Sequence, residues 1–540
     1  MNSATESIAR TIIIAATPTP NGDLHVGHMA GPYLAGDVYG RYLKAAGRPV
    51  TYSTCTDDSQ TYVVSTAHKR GISPQQLCAT STAAIQTSLD AMGISVGTLP
   101  PIDHRYRSAV VDFISALHTA GRFALRTVRL PYAERAGTYL VDGLLKGECP
   151  VCSAESCGGS CEACGHPNHF DQLKNPRSSM DPTDPVTYRA TTVLVLPMEE
   201  YRERLVAYYK SHEANWRPHS LQLIREILAK PLPDVPVTYP GDWGVPAPFP
   251  ETPGQMLYPW VEAMPAAMYS TWWATREEHD GQGAVDALWR AEDKAQVVYF
   301  HGFDNVYFWG MVDLVLLMAH GERYVLPRAN ICNEFYELDH EKFSTSRNHV
   351  IWTADLVDEV PRDLARFYLA LTCPENERSN FSRQAMGDIV SERLVRPWNS
   401  LAERVDELLA GLDPDSVLSV TAAGRERSAA MVQRFRLCYE LPNFSLRSAA
   451  DAITSSLDLL AAVAFTEITS PTGPSLGDLL LLIKTFLAGA APIMIDLTAA
   501  ADAAGADLTV NGDSIAPFRL PRLADVNGST ASSRFAHVGH

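Results

Sequence analysis

A β-branched apolar run, Thr11 to Ile14, opens the patterned part of the chain and suits a strand buried within a parallel sheet. Pro18, Pro20 and Gly22 then force a turn, and from Leu24 onward the spacing fits a helix. The first unit therefore reads strand, turn, helix. Met29 to Ala46 continues as a helix closed by Gly47, and Val50 to Cys55 reads as the next strand, ending on Thr56-Asp57-Asp58. Two carboxylates at the end of a parallel strand stand where a ligand would meet them, although one of the pair could equally cap the following helix. Far downstream, Val297 to Trp309 is another strand running into a turn and a helix. Residues 384 to 465 show helical apolar spacing, and 475 to 505 add an Ala/Leu-rich helix pair. Beyond about residue 511 the pattern weakens into a Gly/Ser-containing, partly ordered tail. Strands alternating with helices in the first part of the chain place it in the α/β class.

Composition bounds this picture. A length of 540 residues predicts three or four structural units, and 46% hydrophobic residues permit sizeable cores. The formal net charge of −17 argues against a broadly basic nucleic-acid surface. Met1 to Arg10 is polar and does not read as a signal peptide. Leu479 to Ile495, the longest apolar stretch, is interrupted by Lys484 and Pro492 and is shorter than the ~20 residues a bilayer requires, so it reads as a buried bundle helix and no membrane partner is expected. Four of ten cysteines fall in two C-x-x-C pairs, Cys149 with Cys152 and Cys161 with Cys164. Four thiolates on two tight knuckles make a closed tetrahedral site that suits structural Zn²⁺ at ~2.3 Å and leaves no open position for catalysis. Cys157 in the loop between them could be a spare ligand. This usage fits a reducing cytoplasm better than a disulfide framework.

The remaining chemistry concentrates at His25-Val-Gly-His28. Two imidazoles three residues apart share a helical face at a turn where phosphates bind, and each could donate to a phosphate oxygen. Gly27 between them leaves room for a flat ring against the backbone. In isolation the pair would read as two surface histidines, but a second signal, Lys342-Phe-Ser-Thr-Ser346, lies far downstream. Pro-x-Pro-Asn-Gly-x-Leu-His-x-Gly-His followed by Lys-Phe-Ser-x-Ser resembles the two signature motifs of class I aminoacyl-tRNA synthetases. Within that class the likeness is to the methionyl-tRNA synthetase family.

The resemblance implies a Rossmann-type parallel sheet with an inserted zinc-knuckle connective domain, followed by an α-helical bundle. It divides the chain into a first half of the catalytic domain (1–118), the connective insertion (119–238), the second half (239–328), a signature-loop and stem-contact region (329–388), an anticodon-binding-like bundle (389–510) and a tail (511–540). His25, His28 and Lys342 take the catalytic roles, and Asn21, Gly27, Gly302, Asp304, Ser344, Ser346 and Arg347 fall among the ATP-binding positions. Thr17, Thr19, Asp57, Trp260, Ala263, Asn305 and Trp309 align with the amino-acid pocket, Asp57 with the residue that holds the α-ammonium. ATP, Mg²⁺ and structural Zn²⁺ are the implied cofactors.

Several positions depart from the family pattern. Thr17 and Thr19 replace an apolar residue and Tyr, Phe303 and Asn305 replace Lys and an apolar residue, and Trp309 replaces the pocket His. Two hydroxyls, an amide and an indole would then face the side chain, which predicts an amino acid more polar than methionine. Thr345 stands where the second signature lysine belongs, with Arg347 two residues on, and the bundle lacks the Trp that would stack on an anticodon base, leaving Asn399 as half of that element. The chain is expected to form an aminoacyl adenylate and pass it to a small amine or hydroxylamine without tRNA, as a monomer. That resembles the synthetase-like parts of hydrazine synthetases in natural-product pathways, which join two nitrogens with a cupin; a cupin partner would here be a separate chain. Methionine–tRNA ligation, and a non-catalytic nucleotide- or amino-acid-binding regulator, are the competing expectations.

Overall fold

A computed structural model describes residues 8–343, 349–413, 416–468, 474–510 and 513–524. Its centre is a parallel sheet of β1 (Thr11–Ala15), β2 (Val50–Ser53), β3 (Gln296–Gly302) and β4 (Ala329–Asn333), in the order β4-β3-β1-β2. All five residues of β1 are buried, as the β-branched run requires. Side chains alternate across the strand. Ile13 and Ala15 join the core shared with the C-terminal helices, while Ile12 and Ile14 pack on the opposite face. Because β1 lies between β2 and β3, the sheet changes direction there, which opens a crevice beyond its carboxyl end.

The first crossover differs from the single helix expected over Met29–Ala46. A short turn at Val26–His28 passes into a π-helical turn at Met29–Tyr33, and only then into α1 (Leu34–Ala45). Pro32 supplies no amide for the helical ladder, and Gly31 leaves helical geometry at φ −99°, ψ −116°. A Cβ on Gly31 would lie 2.6 Å from the Asn333 side chain, so the break also lets α1 approach β4. Gly47 follows at φ +69° and ends the element.

Between the two halves of the sheet runs a long antiparallel pair, Ala124–Ala133 with Val186–Leu196, which carries the small cysteine-bearing strands. α2 (Pro259–Ala274) returns the chain to the sheet, buried on nearly every face. Beyond the sheet, α3 (Arg362–Leu371) leads to the bundle of α4 (Arg396–Leu409), α5 (Ala422–Tyr439), α6 (Leu446–Ala462) and α7 (Pro474–Ala490). The apolar run at Leu479 to Ile483 lies inside this bundle, as expected. Leu446–Glu467 is long and apolar enough to cross a membrane by length and composition, but half of its most apolar window is buried against the other helices.

The described part of the C-terminal segment is more structured than its weak pattern predicts. Ser514–Ile515 pairs with Leu418–Ser419, and Phe518 and Leu520 are buried. Trp398 Nε1 donates to the Pro521 carbonyl at 2.8 Å. A few apolar anchors and backbone hydrogen bonds, too sparse to set up a periodicity, hold the segment against α4.

Candidate active site

The crevice beyond β1 and β3 is a cleft of about 390 Å³. It brings together Thr17, Thr19, Asn21, His25, Gly27, His28, Asp57, Trp260, Gly302, Asp304, Asn305 and Lys342 from five separated stretches of sequence. Ser344, Ser346, Arg347 and Thr345 lie outside the described residues.

The two imidazoles lie side by side as expected, but His25 stands just before the helix rather than on it. His25 is the N-cap, and its Nδ1 accepts the Gly27 amide at 3.1 Å, while His28 Nδ1 accepts the His25 amide at 3.2 Å. The first helical amides are thus taken by imidazole rather than left for phosphate. An Nδ1 that accepts from the backbone leaves the proton of a neutral ring on Nε2. Burial, and then the neighbouring His28 and Lys342, push His25 well below the usual imidazole range. The protein around the cleft lowers His28 to about 4, although one edge of its ring stays open to the cleft. Both rings are neutral Nε2–H donors at pH 7. They stack at 3.8 Å between centroids, and Phe343 of the downstream signature stacks on His25 at 4.5 Å and 5°. A Cβ on Gly27 would meet both rings, at 2.9 Å from His25 and 3.2 Å from Phe343. The flat ring that lies against the Gly27 backbone belongs to the protein itself.

Opposite the histidines, Asp304 follows β3, where burial and the nearby Glu162 raise its pKa to about 6 against the pull of Lys342. Lys342 forms an ion pair with Glu162, which lies between Cys161 and Cys164. The signature lysine therefore rests against the cysteine knuckle. At the deep end, Asp57 is buried and accepts from Gln60 Nε2 at 2.7 Å. Burial and the adjacent Glu262 raise its pKa well above the usual carboxylate range. No cation among the described residues pairs with Asp57, so its position suits an incoming ammonium. Trp260 faces the cleft and stacks on Phe308 at 3.7 Å and 4°.

Two expected pocket residues line no part of the cleft. Ala263 is buried within α2, and Trp309 is buried behind the wall with its indole edge-on to Tyr299 at 4.9 Å. The π-helical turn at Phe308–Val312 puts Phe308 toward Trp260 and Trp309 toward the core, so the indole does not face a ligand.

The four knuckle cysteines converge. Their sulfurs lie within 4.8 Å of one another, with Cys149 to Cys164 and Cys152 to Cys161 both at 3.7 Å. A tetrahedron with ~2.3 Å Zn–S bonds has edges of ~3.8 Å, so the donor set fits Zn²⁺ in both chemistry and size. Cys157 stands outside the cluster.

Residues 11–406 match the family described as tRNA synthetases class I (M). The chain belongs to that family. Among relatives of these class I (M) synthetases, it is 30% identical over 402 residues to a methionine–tRNA ligase of Christiangramia forsetii, covering 73% of this chain and 57% of the relative. To that of Roseiflexus sp. it is 32% identical over 411 residues, covering 74% and 68%. The chain thus spans little more than half the length of several relatives it matches. Mycobacterium tuberculosis methionyl-tRNA synthetase in complex with methionyl-adenylate shares the fold at a TM-score of 0.71 and 18% identity, over 96% of this chain and 100% of that one.

Within this class I (M) cleft, Tyr33, Gln60, Tyr62, Ser160 and Glu162 were not anticipated from sequence. Gln60 follows the Asp57-Asp58 pair by two residues, and its side chain bonds to Asp57. Glu162 was hidden by the cysteines on either side of it, which accounted for the segment as a metal site.

Proposed function

We propose that the chain activates an amino acid with ATP. The carboxylate oxygen attacks the α-phosphorus in line, the bond from that phosphorus to its bridging oxygen breaks, and pyrophosphate leaves with the electron pair. The products are an aminoacyl adenylate and pyrophosphate. The observation that carries this reading is the meeting, in one cleft, of two neutral Nε2–H imidazoles, Lys342, Asp304 and an unpaired buried Asp57. His25 and His28 donate to the reacting phosphate, and Lys342 leaves Glu162 for the departing pyrophosphate. Asp304 accepts the ribose hydroxyls, and Asp57 receives the α-ammonium. Mg²⁺ arrives with the triphosphate and offsets its charge. Zn²⁺ held by the four cysteines is structural, fixing the knuckle that presents Glu162.

For the second step we infer transfer to a small amine or hydroxylamine. Both ends of the Asn399 carboxamide are engaged by Leu523, the nitrogen donating to its carbonyl and the oxygen accepting its amide, each at 2.9 Å. Arg522 bonds to the Asn399 carbonyl and to Asp406, tying the segment to α4. That leaves Asn399 no free edge for a base. Methionylation of tRNA is the second reading, favoured by what the relatives are named.

Amino-acid-dependent exchange of pyrophosphate into ATP tests the first step, and no exchange with any amino acid would overturn it. Incubation of the adenylate-forming mixture with tRNA or with hydroxylamine separates the acceptors. Label appearing in hydroxamate and absent from tRNA supports the small-molecule reading, and charged tRNA replaces it with the second.

A further inference from the structure

Gln60 stands beside Asp57 in the cleft with one end of its carboxamide unused. The chain is pinned on either side of it: the Ser59 hydroxyl donates to Glu262 Oε1 at 3.0 Å, and the Thr61 hydroxyl donates to the Val141 carbonyl at 3.0 Å. Gln60 holds the N-cap position of the helix Thr61–Arg70, yet its side chain makes no capping bond. It turns back to Asp57 instead, with Nε2 donating to Oδ2 at 2.7 Å. An ionised carboxylate only accepts, so the amide nitrogen is the end that meets it and the amide oxygen is left over. That oxygen has no hydrogen-bond partner among the described residues, although Gln60 is 1% exposed and borders the cleft. A buried acceptor without a donor is costly, and the missing donor is what an ammonium on Asp57 brings. Burial, then Glu262, and behind them Asp58 and Asp142 push Asp57 toward the neutral acid, and the Gln60 bond opposes them.

Resting on the adenylation reading above, we propose that Gln60 is the second arm of the α-ammonium seat and selects amino acids over their α-hydroxy acid counterparts. Nε2 holds the Asp57 carboxylate in place, Asp57 Oδ1 accepts one N–H of the ammonium, and Gln60 Oε1 accepts another. A hydroxyl brings one proton and no charge, so it leaves one of two buried acceptors unfilled.

Pyrophosphate exchange and titration calorimetry across the standard amino acids identify the best substrate, which is then compared with its own α-hydroxy acid in both assays. The protein should prefer the amino acid by at least roughly 100-fold in kcat/KM. Gln60→Met, close to isosteric and without either polar end, should cut that preference by roughly 10-fold or more through a raised KM and Kd for the amino acid, with KM for ATP within about twofold. Gln60→Gly, which removes the side chain without adding bulk, should move the preference in the same direction. An unchanged preference in both variants, with ATP still bound, overturns the proposal, as does an equal loss for the amino acid and the hydroxy acid. Calorimetry keeps the two readings apart. An amino-acid preference in binding that falls in the variants, without exchange in the wild type, rejects adenylation and keeps the Gln60 seat. Exchange with an unchanged preference does the reverse, and neither binding nor exchange overturns both.

Discussion

His25 and His28 cap their own helix and, in doing so, fix which ring nitrogen carries the proton. Nδ1 is committed to a backbone amide in each, so Nε2–H is the only proton either ring can present to the cleft. Removing one such preorganised donor typically costs ~10²–10³ in rate, so His28→Ala should lower the exchange rate by about that factor with a smaller effect on KM for ATP. Lys342→Ala should cost about as much. The pH dependence follows from the shifts. Asp304, raised to about 6, must ionise to accept ribose hydroxyls, so kcat/KM for ATP should climb as pH rises through about 6. His28, lowered to about 4, is already neutral across that range and introduces no descending limb near pH 6.5. A rate that falls as pH rises from 6 to 8 would show instead that imidazolium is the active form. At this scale the sequence disclosed the residues that sit within a short motif. It did not disclose Ser160 or Glu162, which reach the cleft from the insertion, or Tyr62, which reaches it from the helix after β2; none has a local pattern linking it to β1. Trp309 was misassigned because helical spacing alone does not show that a π-turn rotates it into the core.

Among the elements, the cysteine knuckle joins a four-thiol cluster that could hold a metal to the cleft. Gly158, Ser160 and Glu162 line the cleft from the segment that Cys149, Cys152, Cys161 and Cys164 hold together. Stripping Zn²⁺ with a chelator should therefore reduce exchange, although no cysteine touches substrate, and zinc should restore it. Full activity in demonstrably zinc-free protein would separate the knuckle from the site. The Lys342–Glu162 pair is solvent-accessible on both sides, and such pairs are worth up to ~1 kcal/mol, so Glu162→Gln should lower KM for ATP by no more than roughly fivefold. A steep loss of rate would mean that Glu162 acts on substrate rather than on the lysine. The convergence of the four cysteines was legible because two C-x-x-C pairs carry the spacing that a tetrahedral metal site requires. The C-terminal segment on α4 was not, since its hold consists of backbone bonds to Trp398 and Asn399 rather than a hydrophobic period.

Across the whole molecule, the sheet and the bundle share one hydrophobic core, and a fully buried ion pair helps to tie them. Arg366 of α3 donates to Asp37 of α1 at 2.6 Å, with both side chains wholly buried. Its guanidinium also serves the carbonyls of Met92, Pro492 and Ile493, so four of its five N–H groups are engaged. Burial alone would raise Asp37, but Arg366 and Arg41 beside it hold its pKa below the ordinary value. The carboxylate thus contributes its full stability above about pH 4 and loses it as pH falls through the lowered pKa. Arg366→Met leaves the buried Asp37 with only Arg41 and Ser95 as partners and should cost up to about 3 kcal/mol in denaturant unfolding at pH 7. A change under about 1 kcal/mol would show that the joint does not depend on the pair. The α/β class and the helical C-terminal region were foreseeable from strand and helix periods, whereas this joint links positions 329 apart and leaves no trace in either period. The central claim is that a nucleotide sits between the paired imidazoles and the Lys342 strand. A crystal structure with a non-hydrolysable sulfamoyl adenosine of the amino acid that supports pyrophosphate exchange tests it most directly. The sulfamoyl oxygens should lie at about 3 Å from Nε2 of His25 or His28, with the ribose hydroxyls on Asp304 and the amine on Asp57. A ligand bound elsewhere, or in this cleft with its sulfamoyl group turned away from both histidines, would contradict the account.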